Sequence, residues 1–231
     1  MNSNSEMDAS RTTLLANLAV VLAVLFVALL AAAASFYPGG SWLDSNSTGF
    51  EFWTNYWCDL MRTEGINGEP NYLGGVMGQI AFLVLGLSVA ALFAAATVLV
   101  SMPKAKRWIR IAGLLTAVSV GVVALSNYAE SPIIHAAGAM SAGLIGTSAV
   151  FVLVIQNWRA GGLSAWRRFI DVAFLISAGV TAVVYAELIL RDGTSATLPA
   201  AQKVATLFLV LWIATIARGL TEPGMKPPTR P

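Results

Sequence analysis

Thr48–Gln79 reads TGFEFWTNYWCDLMRTEGINGEPNYLGGVMGQ, the most polar and most aromatic stretch of a chain otherwise rich in alanine, leucine and valine. A long apolar run precedes it, Leu14–Phe36, and another follows it, from Tyr72 to about Val100. About 20 apolar residues suffice for a helix to cross a bilayer core. The stretch therefore reads as a cap at the membrane surface that joins two spans. Four more apolar runs follow, from about Ile109 to Tyr128, Ile133 to Gln156, Trp166 to Leu190 and Pro199 to Arg218. The expected fold class is all-α: a six-transmembrane-helix bundle with a short amphipathic surface helix in the first outer loop.

Composition leads to the same class. The 231 residues are 57% hydrophobic and 11% charged, with mean hydropathy +0.71. Soluble domains are about a quarter charged. A net charge of +2 supplies no basic field of the kind nucleic-acid binders use, so the expected partner is the lipid bilayer and not a nucleic acid. A protein partner or a homo-oligomer is left open. Cys58, the lone cysteine, has no partner for an intramolecular disulfide and reads as a buried or interfacial thiol.

Residues 1–13 read as a flexible cytoplasmic tail, residues 14–219 as the membrane domain with its cap at 38–71, and residues 220–231 as a disordered, proline-rich cytoplasmic tail. A signal peptide competes for the first run. Its apolar length exceeds a signal h-region, and Glu6 and Asp8 precede it, which favours a retained span.

Loop charge sets the expected orientation. With the N-terminus in the cytoplasm, the inner segments hold Arg11, Lys104, Lys106, Arg107, Arg110, Arg159, Arg167, Arg168, Arg218, Lys226 and Arg230. Only Arg62, Arg191 and Lys203 fall outside, so eleven of the fourteen basic residues lie inside. That is a positive-inside pattern, and it implies a multi-pass protein of the plasma membrane with both termini cytoplasmic.

Within the cap, Thr48-Gly49-Phe50-Glu51 fits a capping box. Trp53, Tyr56, Trp57 and Leu60 recur on one helical face, and Glu51, Asn55, Asp59 and Arg62 on another. The spacing predicts an amphipathic helix over 49–62, ended by Gly65 and Gly68. Gly74, Gly75, Gly78 and Gly86 thin the outer half of the second span and predict close packing of a neighbour. No Lys-Ser/Thr follows these glycines, so they form no phosphate loop.

Polar residues gather near the expected outer ends of the spans: Asn55, Asp59, Asn71, Asn127, Glu130, His135 and Glu187. Ionisable groups at membrane depth are costly and usually face the bundle. His135, the only histidine, shares its face with Gly138, Ala139, Ala142 and Gly146, so its ring is expected to point inward to Asp59, Glu130 or Asn127. Two readings stand side by side. One is an outward-open polar pocket for acid–base chemistry, or for a metal held by His135, Glu130, Glu187 and Asp59. The other is a set of interfacial groups satisfied by one another. Arg167 and Asp171, four residues apart, read as an ion pair at the inner surface. There is no catalytic-triad, zinc-protease or nucleotide signature, and cofactors are left open.

Thr54-Asn55-Tyr56-Trp57-Cys58-Asp59-Leu60, then Gly68-Glu69-Pro70-Asn71, resembles the first outer loop of the bacterial and archaeal membrane family catalogued as domain of unknown function 998. Pro38-Gly39 after the first span and His135 after Ser131-Pro132 match further features of that family. Cys58 stands where serine is usual and Met61 where glycine is usual, which removes the hydroxyl from that position. The resemblance implies about six spans and no established activity. It is loosely similar to the Frag1/DRAM/Sfk1 group, linked with lipid organisation. The expected function is a non-enzymatic membrane protein that organises lipid or a partner protein at the outer leaflet. The alternative is a membrane-embedded enzyme or small-solute carrier that uses the pocket around His135.

Overall fold

The computed structural model describes residues 3–126, 131–161, 163–191 and 195–222. Six α-helices account for most of them: α1 Ser3–Phe36, α2 Tyr72–Ala96, α3 Pro103–Leu125, α4 Pro132–Ala160, α5 Ala165–Arg191 and α6 Leu198–Thr221. All six are long and apolar enough to cross a membrane.

The helices form a ring in chain order. Each packs on its sequence neighbour, α1 closes onto α6, and α2 also reaches α6 across the bundle. Small residues make the closest of these contacts. The buried face of α1 is Ala16, Ala19, Ala23, Phe26, Leu30 and Ala33, a three-four spacing that keeps one seam against its neighbours. Where Ala19 meets α2, the Ser88 hydroxyl donates to the Ala19 carbonyl at 2.7 Å. Such a backbone approach across helices needs small side chains. Aromatic rings fill the wider spaces, with Phe26 edge-on to Phe82 at 5.9 Å and Trp212 stacked on Phe174 at 5.7 Å.

Several helix ends differ from the sequence reading. Residues 3–13 are helical and continue α1 rather than forming a flexible tail. α3 starts at Pro103, so Lys104, Lys106 and Arg107 sit in its first turns instead of a loop. Proline at a first helical position loses no intrahelical bond, which is also why Pro132 and Pro199 open α4 and α6. α4 extends to Ala160 and carries Arg159 in its last turn, where a cation suits the helix dipole. Of the disordered tail expected over 220–231, Leu220 and Thr221 belong to α6 instead, and residues 223–231 lie outside the described residues.

The largest correction concerns the cap. No α-helix forms over 49–62: residues 52–55 make turns, and Trp57–Met61 form a single 3-10 turn. The expected capping box does not start a helix either, because Thr48 pairs instead with Gly39 in an isolated bridge. Side chains that would have formed the polar helix face bond backbone amides instead. Glu51 N–H donates to Asn55 Oδ1 at 2.9 Å, and Tyr56 N–H donates to Asp59 Oδ2 at 2.8 Å. Asn and Asp side chains compete with helical hydrogen bonds in this way.

Candidate functional site in the cap

Asp59 lies at the centre of the cap and is 2% exposed. Its carboxylate accepts from Trp42 Nε1 at 3.2 Å, Asn55 Nδ2 at 3.2 Å and the Tyr56 amide at 2.8 Å. Burial pushes its pKa up, and these three donors together with Arg62 pull it partly back. Asn55 is fully buried as well, and its Nδ2 also reaches the Gly40 carbonyl at 2.7 Å. Gly40 has φ +82, and a Cβ there would lie 2.4 Å from the Asn67 amide, so only glycine offers that carbonyl at this point. Tyr37 donates to the same carbonyl and accepts from the Ile66 amide, and burial raises its hydroxyl to about 12. Burial likewise holds the Cys58 thiol above its ordinary value, so it stays protonated and a weak nucleophile at neutral pH.

A lysine from α6 locks this unit to the bundle. Lys203 is 4% exposed. Its ammonium donates to the Asn55 carbonyl and lies 4.6 Å from the Trp57 ring centre, 5.3 Å from Phe50 and 5.8 Å from Phe52. Further bonds join the cap to α6 and to the residues just before it. Trp57 Nε1 donates to Thr206 Oγ1 at 3.1 Å, the Trp57 amide to Gln202 Oε1 at 3.3 Å, and the Tyr56 hydroxyl to the Ser195 carbonyl at 3.2 Å. The glycine stripe of α2 receives the other side of the cap. A Cβ at Gly78 would lie 2.6 Å from the Leu60 carbonyl oxygen, and one at Gly75 would lie 2.6 Å from that of Arg62. For Gly75 and Gly78 the expected close neighbour is thus the cap main chain, whereas Gly86 faces Ala117 of α3.

The structure brings together Asn55 and Asp59 from the expected site. Asn71 is buried nearby, where its Nδ2 holds the Arg62 carbonyl at 2.9 Å. His135 is buried, as expected for an inward ring, and its Nδ1 lies 2.9 Å from the Ser126 carbonyl at the end of α3. Glu187 is exposed on α5. Asn127 and Glu130 lie outside the described residues. Among the described residues no three His, Cys, Asp or Glu side chains come together to hold a metal.

Two sets of residues went unread in the sequence. Lys203 was counted only as a stray outer charge, although a lysine inside an apolar run opposite an aromatic loop is itself a signal for a cation cage. At the opposite end of the bundle Asp171 is fully buried, and both its oxygens are taken by indoles, Trp158 Nε1 at 2.9 Å and Trp212 Nε1 at 3.1 Å. Arg167 stands 3.9 Å away and is also buried, so the pair expected at a surface lies inside the bundle.

Comparison with known proteins assigns no family. No family model, no curated protein and no solved structure matches this chain.

Proposed function

We propose that the chain is a six-span plasma-membrane protein with both termini cytoplasmic, and that its rigid cap organises lipid or a partner protein at the outer leaflet. One observation carries this reading. The cap exposes aromatic rings on part of its surface, beside the polar Asp44, Asn46, Glu64 and Glu69, while it buries and bonds polar groups within. Asp59, Asn55 and Lys203 are buried and bonded, whereas Phe52 is 47% exposed, Trp53 60% and Tyr72 70%. Exposed indole and phenol rings suit the headgroup layer, where one edge is dry and the other wet. The distribution of basic residues supports the orientation, and the cap motif supports the resemblance to the family of unknown function 998.

The reading is tested by fluorescence in vesicles. Lipids brominated near the headgroup should quench the tryptophan emission of the wild type by more than that of a Trp53→Phe control. Cysteine labelling in a Cys58→Ser background should reach position 64 from outside and position 107 from inside. Labelling of both positions from one side, or no quenching attributable to Trp53, would overturn the proposal.

A further inference from the structure

α5 is the least enclosed of the six helices, with only 6% of its apolar window buried. Along it, against α6, runs a slot of about 470 Å³. Phe169, Ile176, Val204 and Phe208 form its walls, and the small residues Ala173, Ser177 and Ala201 form its floor. The floor offers no hydrogen-bond donor. The Ser177 hydroxyl is turned to the Phe174 carbonyl at 3.0 Å, and the Thr181 hydroxyl beside it to Ser177 and Ala201 carbonyls. The occupant is therefore hydrocarbon along its whole length.

The slot is bounded at both ends. α5 and α6 touch at both ends of the slot, through Thr181 Oγ1 and the Ala201 carbonyl at 3.2 Å and through Phe169 and Phe208 at 6.4 Å. An alkyl chain fits. From Phe169 to Val180 the helix rises about 16 Å at 1.5 Å per residue, the depth of one leaflet of a core about 30 Å thick.

The head of the slot is basic. Arg168 is exposed and lies four residues before Val172, so it shares the face that lines the slot. Its neighbours are already committed, Arg167 to Asp171 and Arg218 to Glu222 at 3.1 Å. Trp166 is 59% exposed and stacks on Phe169 at 5.7 Å, an indole at the level where a headgroup would sit. We propose that the α5–α6 slot binds one acyl chain of an anionic phospholipid whose headgroup phosphate is held at Arg168. Its Arg168 end lies far from the cap, its other end is lined by Ala201 and Val204 beside Lys203 on α6, and the proposal does not depend on the function proposed for the cap.

Native mass spectrometry of the protein released from nanodiscs of equal phosphatidylglycerol and phosphatidylcholine tests this. The wild type should retain one phosphatidylglycerol in preference. Arg168→Gln, at an exposed position that spares the fold, should lower that preference about fivefold, the effect of one cation near an anionic surface. Ala173→Phe, which fills the floor, should abolish retention of both lipids. Equal retention of the two lipids by the wild type would overturn the proposal, as would an unchanged preference in Arg168→Gln. A lipid-free dimer broken by Ala173→Phe would overturn it too, by making a second copy the occupant.

Discussion

The ammonium of Lys203 and the indole of Trp57 lie 4.6 Å apart, in a contact that joins the sixth helix to the first connection of the chain. It places a cation where water is excluded and three aromatic faces replace its hydration. The cap is in this way held as part of the bundle.

Replacing Lys203 with Met keeps the aliphatic stem and removes the charge. A desolvated cation–π contact contributes about 2 kcal/mol, and leaving the Asn55 carbonyl unpaired costs about 1–3 kcal/mol more. Thermal unfolding in detergent should show a loss of about 3 kcal/mol, with Lys203→Arg retaining most of it. A melting temperature unchanged in the Met variant would show that the contact contributes nothing.

Asp59 gives the cap a pH dependence of stated sign. Its folded pKa lies above the ordinary value, chiefly through burial, so the folded state binds more protons than the unfolded one between the two values. Stability should then be highest at and below the ordinary carboxylate pKa of about 3.9 and fall as pH rises through the folded value. Melting curves of the wild type and Asp59→Asn compared across pH 4 to 8 measure this. Parallel curves would mean that Asp59 does not titrate in that range.

Gly78 should not tolerate a methyl group. Its Cβ would come 2.6 Å from the Leu60 carbonyl oxygen, and the atoms it meets are all main chain. Overpacking of this kind costs about 1–3 kcal/mol. Gly179→Ala is the control, because nothing lies within 4 Å of that position. Equal melting temperatures for the two variants would contradict the packing of the cap on α2.

Asp171 is the other buried acid. Asp171→Ala leaves two indole donors without an acceptor and Arg167 without its counter-charge. Breaking a buried pair from one side costs about 3–5 kcal/mol. Asp171→Asn, which keeps one acceptor, should cost less. Detergent-solubilised protein of both variants can be ranked by unfolding, and an alanine variant as stable as the wild type would count against a buried charge there.

The sequence by itself determined the six helices, their order and the points where the chain turns. Those properties are local: a span is a matter of apolar length, and Pro132 and Pro199 mark helix starts whatever surrounds them. Tertiary structure decided the cap. The periodicity of Glu51, Asn55 and Asp59 is real, yet a helix would have turned Asn55 and Asp59 to water. Lys203, 148 residues further along, gives Asn55 a partner inside, and Trp42 does the same for Asp59. Burial with satisfied hydrogen bonds then prevailed over local helix propensity. The same holds for Asp171, whose spacing from Arg167 is written in the chain, whereas Trp158 and Trp212 meet it only when α4 and α6 pack against α5.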